Sequence, residues 1–263
     1  MRVLMVGDVV GRPGRTTLGR YLPRLKRERQ IDFVIVNGEN AAGGFGLTAP
    51  IAKELLDMGA DVITSGNHIW DKKEIYNYLD EEPRILRPAN FPPGVPGRGM
   101  GFYDHPAGRI AVINLAGRVF MPHGVDCPFR SASELIKEGQ SKQATIFVDF
   151  HAEATAEKIA LGWHLNGKVA GVFGTHTHIQ TADARVLSHG TAYITDLGMV
   201  GPYDSVLGME KSTIIERFHN QLPARFNVAG GPVIFGGVVV DVDPTTGKAL
   251  HIESIWQIDE ESY

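Results

Sequence analysis

The first third of this chain alternates strand-like and helix-like sequence. The runs VLMVGD, FVIVNGEN and VITSGNH are separated by helical patterns near 15–29, 48–58 and 71–80. Such strand–helix alternation predicts a layered α/β fold with parallel strands. Further on come RIAVINLAG, ATIFVDFHAE, KVAGVFGTHTH, ARVLSHGTAYITDLG and PVIFGGVVVDVD, several of them close enough in sequence to pair as antiparallel hairpins. The expected architecture is therefore mixed, with two sheets packed together and helices on the outside. RPANFPPGVPGRGMG (87–101) reads as a long surface connection and not a domain linker, because strand-like sequence resumes after it in the same style. Residues 1–263 are accordingly expected to form one domain, and no internal repeat is visible.

Composition excludes several function classes. A net charge of −4 gives no bulk attraction to nucleic acid or anionic membrane. One basic stretch, RPGRTTLGRYLPRLKRER (12–29), places Leu18, Leu22 and Leu25 on one helical stripe and Arg20, Arg24 and Arg27 on another. A solvated basic helix face is expected there in preference to an RNA-docking surface, so no stable nucleic-acid partner is predicted. The single Cys127 rules out an internal disulfide, suits a reducing compartment and is read as a packed thiol. The opening MRVLMVGDVVG is too short in its apolar run for a signal peptide, and Asp8 interrupts it. With no run of the roughly 18 apolar residues that a membrane span needs, the expected location is the cytoplasm, with no membrane partner.

In open α/β sheets, functional groups gather beyond the carboxyl ends of strands. Here five of the apolar runs end in a possible ligand. Asp8 ends the first, Glu39 with Asn40 the second, and Asn67 with His68 the third. His151 ends ATIFVDF, and His176 with His178 end GVFG. In an extended strand, side chains at i and i+2 point to the same side, roughly 7 Å apart, so His176 and His178 would converge on one point. An isolated HxH is better read as two polar residues opening a loop. Five strand ends carrying O and N donors make that reading hard to sustain.

Two carboxylates, two amides and three imidazoles are too many for one tetrahedral zinc. They suit a pair of metals with mixed N/O shells, iron or manganese ahead of zinc or magnesium. Two carboxylates against four or more positive metal charges leave the site cationic, fit to attract an anionic phosphoester.

These motifs resemble a known superfamily. GD at the first strand end, GNH at the third, a later single His and a final GTHTH are similar to the calcineurin-like metallophosphoesterases. The resemblance is closer to one branch, the YmdB-like 2′,3′-cyclic-nucleotide 2′-phosphodiesterases, through GDVVGRPGR, VNGENAAGGFGLT, TSGNHIWDKKEI, VDFHAEATAEK, FGTHTHIQTAD and TDLGMVGPYDSVLG, which span most of residues 6–208. The broad superfamily usually has DxH where this chain has Val10, an aspartate where it has Glu39, and an acidic residue where it has Ile69. The branch shares these changes.

The resemblance implies a four-layer α-β-β-α sandwich with two mixed sheets and a dinuclear site. It implies that Glu39 bridges two ions, with Asp8, Asn40 and His178 completing one shell and Asn67, His151 and His176 the other. Asn40 then stands in for the missing first-motif histidine. His68, left without a metal, is read as the general acid that protonates the leaving oxygen, in preference to an orienter of a ligand. The implied reaction is attack by a metal-bridging hydroxide on a small cyclic nucleotide, above all 2′,3′-cAMP, giving 3′-AMP. A phosphomonoesterase or nucleotidase on the same metals, and a metal-binding regulatory protein with incidental hydrolysis, are the alternatives. A serine hydrolase acting through Ser65 or Ser188 lacks a nucleophile elbow.

Other polar residues receive plainer readings. Thr48 is expected to cap a helix, Glu153 to be a first-turn helix acid, and Asp149 to be either an orienter of His151 or a buried strand-end acid. His105, His123, His164, His189, His219 and His251 are read as surface or core residues. GMVGPYDS (198–205) is read as a flexible loop on the substrate side. A homo-oligomer is left open.

Overall fold

The computed structural model describes residues 1–260. Its strands are β1 (Arg2–Val6), β2 (Asp8–Val9), β3 (Phe33–Asn37), β4 (Val62–Thr64), β5 (Met100–His105), β6 (Gly108–Ala116), β7 (Thr145–His151), β8 (Gly171–Thr175), β9 (Arg185–Val186), β10 (Ala192–Ile194), β11 (Met199–Pro202), β12 (Val233–Asp243) and β13 (Lys248–Asp259). The helices are α1 (Gly11–Glu28), α2 (Ala49–Asp57), α3 (Tyr76–Glu81), α4 (Pro128–Ser141), α5 (Thr155–Leu165) and α6 (Lys211–Asn220). A 3-10 turn over Asn67–Trp70 follows β4.

Two mixed sheets result. The first runs β2-β11-β12-β1-β3-β4, with β13 on the other side of β12; the second runs β5-β6-β7-β8-β10-β9. Alternation along β1 shows how they stack. Val3 and Met5 point into the apolar layer between the sheets, with Phe33, Ile110, Phe147 and Phe173. Leu4 and Val6 point the opposite way, into a layer with Leu18 and Leu22 of α1 and Leu55 of α2. On the outer face of the second sheet, Ile113, Val148 and Val172 pack with Ile136 of α4 and Leu161 of α5. Three apolar interfaces separate four layers, the α-β-β-α sandwich expected. None of the described helices is long and apolar enough to cross a membrane.

Several expectations need correction. Strands β1, β3 and β4 are parallel as expected, but β6, β7 and β8 are parallel too, not hairpins. The reason is that α4 and α5 occupy the connections and carry each crossover back over the sheet. True hairpins are β5–β6, β9–β10 and β12–β13. The 87–101 connection is only partly at the surface: Arg87 is buried, and Ala89 and the buried Asn90 hydrogen-bond Asn114 and Ala116 of the second sheet. Met199–Pro202, expected in a loop, is strand β11, because it fills the gap between β2 and β12. Cys127 is not packed in the core but partly exposed beside the first turn of α4. On α1, Leu18, Leu22 and Leu25 are buried as expected, and part of its basic face is neutralised by β13 through Arg20–Asp259, while Arg29 just past the helix pairs with Glu253.

Candidate metal centre

All five strand ends that carry candidate ligands meet where the two sheets abut. Asp8 follows β1 after a glycine that lets the chain approach Gly198 closely; a Cβ on Gly7 would sit 2.0 Å from the Gly198 oxygen. Glu39 and Asn40 follow β3, Asn67 opens the 3-10 turn after β4, His151 ends β7 and His176 follows β8. The first sheet thus supplies the acids and amides, and the second supplies the imidazoles.

One group of donors is tight. His151 Nε2 lies 2.9 Å from Glu39 Oε1, 3.1 Å from Asn67 Oδ1 and 3.0 Å from His176 Nδ1. Adjacent donors around a metal ion with bonds near 2.1 Å are spaced about 3 Å apart, so the set has the dimensions of a coordination shell. Glu39, His151 and His176 are indeed close enough together to hold an ion. Beside them lie Asp8, Asn40 and His178, with Asp8 Oδ1 3.8 Å from His178 Nε2 and 3.9 Å from the His151 ring.

Whether metals suit these residues can be tested on the polar atoms left over. Among the described residues, three buried side-chain polar atoms have no hydrogen-bond partner, and two are Asp8 Oδ1 and Asn40 Oδ1. An orphaned buried acceptor costs roughly 1–3 kcal/mol, and both orphans are oxygens of candidate ligands. Their companion atoms are anchored: Asp8 Oδ2 accepts the His176 amide, and Asn40 Nδ2 donates to the Gly44 carbonyl. The open oxygens are therefore aimed. Space agrees, because a Cβ on Gly66 would fall 2.2 Å from Glu39 Oε2 and 2.3 Å from His151 Nε2. The residues fit a bound metal cation.

Neighbouring groups fix the imidazole tautomers. Thr175 donates its hydroxyl to Asp149 Oδ1 at 2.7 Å, so it accepts from His151 Nδ1 at 2.9 Å, which turns Nε2 toward the cluster. His178 donates Nδ1–H to the Leu207 carbonyl at 3.0 Å, turning its Nε2 toward Asp8. His176 presents Nδ1 to the cluster, and its Nε2 lies 3.2 Å from Glu153. Asp149 thus does orient His151, through Thr175; Glu153, expected in the first turn of a helix, lies two residues before α5 and contacts a candidate ligand.

The protonation pattern of the metal-free cluster follows from these contacts. Burial raises Glu39, but His151 at 2.9 Å outweighs it and brings the carboxyl down to about 2. Asp8, farther from that imidazole, is pushed well above the usual carboxylate range by burial. Burial lowers His151, yet Glu39 outweighs that and lifts it to about 9. His176 falls to about 3 through burial and the adjacent His151 charge, and burial lowers His178 as well. A proton on His151 occupies the place a cation would take, and the other two rings stay neutral with free lone pairs.

The HxH geometry differs from the extended-strand expectation. His176 and His178 have φ of 101° and 65°, in the left-handed region. They leave β8 through a turn, and Thr177 between them donates its amide and hydroxyl to Asp196 Oδ2 at 3.1 and 2.8 Å. Thr48 stands at the cap position of α2 but makes no capping bond. The glycine loop before it wraps Asn40 and carries Phe45, which packs edge-on against His68 at 5.1 Å. His68 donates its backbone amide to Glu39 Oε2 and pairs ring Nδ1 with Asp71 at 2.9 Å.

Sequence reasoning missed Asp71, Thr175, Lys158, Asp196 and His123. His123, expected as a surface or core residue, reaches the Asn67 carbonyl through its Nε2–H at 3.0 Å. The threonine of GTHTH was the one with a local signal, since it precedes the first histidine.

A four-layer sandwich carrying an O/N donor cluster where its sheets meet defines a metallophosphoesterase-like protein, and the solved structure of a novel phosphatase from Mycoplasma pneumoniae shares the fold (TM-score 0.94, 34% identity, 99% of this chain and 94% of that one). The model of the YmdB-like protein family matches residues 4–255, and the chain belongs to that family. It is 53% identical to the 2′,3′-cyclic-nucleotide 2′-phosphodiesterase of Bacillus subtilis, over 100% of this chain and 99% of that protein. The crystal structure of a hypothetical protein from Thermus thermophilus matches with a TM-score of 0.92 at 39% identity, covering 98% of this chain and 100% of that one.

Proposed function

We propose that this protein is a cytoplasmic, dimetal phosphodiesterase that opens 2′,3′-cyclic nucleotides at the 2′ bond, taking 2′,3′-cAMP to 3′-AMP. The observation that carries the reading is the pair of aimed, orphaned oxygens of Asp8 and Asn40 beside the Glu39–Asn67–His151–His176 cluster. The activity printed for the B. subtilis relative supports the substrate class. Asp8, Asn40 and His178 would hold one ion, Asn67, His151 and His176 the other, and Glu39 would bridge them. Iron is the first choice and manganese the second, given a mixed N/O donor set. When bound, such a pair supplies Lewis acidity at phosphorus and an acidified water as nucleophile.

The chain's own residues do the rest. With only Asp8 and Glu39 ionised among the ligands, the loaded site keeps a positive charge and draws in a phosphodiester anion. His68 lines the same cavity as Glu39 and Asn40. Asp71 holds its Nδ1, leaving Nε2 without a protein partner among the described residues. That nitrogen delivers a proton to the departing ribose oxygen, which is a poor leaving group as an alkoxide.

The test is hydrolysis of 2′,3′-cAMP by chelated protein before and after manganese or ferrous iron is restored, with 2′-AMP and 3′-AMP resolved. Metal-dependent 3′-AMP is the expected product. Turnover of monoesters alone would replace this reading with a nucleotidase. Two bound ions with no turnover of either substrate would favour a regulatory metal protein.

A further inference from the structure

The cavity above the donor cluster, about 690 Å³, is far larger than a phosphate requires. Its floor is Glu39, Asn40, His68, His176 and His178. Its outer wall has a different character: Phe45, Leu207, Phe218 and Phe226, with Arg217 among them. Most of that wall comes from α6 and the chain on either side of it. Helix α6 buries none of its residues, so Phe218, 81% exposed, is not there to fill the core. The Arg217 guanidinium lies over the Phe226 ring at 5.0 Å and has no hydrogen-bond acceptor among the described residues. Stacking leaves its in-plane N–H groups free to donate.

We propose that this outer wall is a nucleobase subsite. The base stacks against the Phe218–Phe226 side while Arg217 donates to an acceptor on the base edge, and Phe45 closes the side nearest His68. Aromatic platforms combined with a cationic donor are how proteins hold an unpaired base, because every base has a π-face and carries ring or carbonyl acceptors. Continuity with the metal floor sets the order of the ligand: phosphodiester over the donors, ribose beside His68, base against α6. The proposal rests on the cyclic-nucleotide reading above but can fail separately from it.

The probe is adenosine, which has a base and no phosphate, titrated calorimetrically into the manganese-loaded wild-type protein. Binding is expected, with affinity falling about tenfold in Phe218→Ala and in Arg217→Ala. Ile215→Ala, exposed on the same helix but outside the cavity, should match wild type. In kinetics with 2′,3′-cAMP, Phe218→Ala should raise KM by a similar factor and lower kcat far less. No adenosine binding to wild type at millimolar concentration, or variants within twofold of wild type, would overturn the subsite. Adenosine binding without hydrolysis of 2′,3′-cAMP would leave the subsite standing and sink only the proposed reaction.

Discussion

Lys158 Nζ lies 2.7 Å from Asp196 Oδ2, both side chains are buried, and the same carboxylate oxygen accepts the amide and hydroxyl of Thr177. Asp196 Oδ1 also accepts the Gly198 amide. One buried acid therefore ties α5, the strand end after β10 and the His176–Thr177–His178 turn to a single point. The two histidines sit at positive φ, a conformation that costs of order 1–3 kcal/mol per residue and persists only when its surroundings over-determine it. Asp196→Asn and Thr177→Val should weaken manganese binding about 10–100-fold, the usual effect of losing a group that orients ligands. Lys158→Met, which leaves an unpaired buried carboxylate, should cost about 3–5 kcal/mol in urea denaturation of the chelated protein. Wild-type manganese affinity in a folded Asp196→Asn protein would show that the loop is held by other means.

Gly66 is a second place where geometry dictates chemistry. Its φ is −155°, outside the left-handed region that favours glycine, and the space a side chain would need there is already taken. A methyl group there would occupy the gap between Glu39 and His151. Gly66→Ala should remain folded, because its neighbours are site groups and not core, yet bind less than one equivalent of manganese by elemental analysis after gel filtration. Full occupancy would mean that the carboxylate and imidazole can part without losing the ion.

Much of this site was legible because its donors sit where strands end, and strand ends are marked by a change from β-branched residues to Gly, Asn and His. The parallel first sheet was legible for the same reason. Helices α4 and α5 were not. SASELIKEGQ and AEKIALGWHL lie between runs that look ready to pair as hairpins, and distance along the chain does not reveal a crossover. Lys158 is hidden in a helix whose other residues look ordinary, and Asp196 follows an apolar strand, so neither carries a local mark of its role. The left-handed turn at His176 and His178 was invisible because non-glycine residues at positive φ are uncommon, and two histidines after a strand suggest more strand. Asp71 opens the polar stretch DKKE three residues after His68, where a solvated loop acid would look the same.

The role assigned to His68 makes a prediction about leaving groups. His68→Ala should lower kcat for 2′,3′-cAMP by roughly 10²–10⁴-fold, the range for loss of a general acid. With bis(p-nitrophenyl) phosphate, whose nitrophenolate departs without a proton, the same variant should lose no more than a few-fold. Asp71→Ala, which removes the acceptor from Nδ1, should show a weaker form of the same selectivity. Equal losses on both substrates would assign His68 to binding or to support of Glu39, which its backbone amide already contacts.

Stability at acid pH should depend on Asp183. Burial raises this carboxyl, but hydrogen bonds from the Thr181 hydroxyl and from the Thr195 amide and hydroxyl outweigh burial and hold it below the usual range. A depressed folded-state pKa means that the charged form is favoured by folding. The stabilisation is fully present above the unfolded-chain value, near about 4, and is lost as pH falls through the folded-state value. In chelated protein, the difference in urea midpoint between wild type and Asp183→Asn should hold steady from pH 7 to pH 5 and shrink below about pH 4. A difference that stays constant down to pH 2.5 would show that the carboxylate's charge contributes nothing and that Asp183 acts through its shape alone.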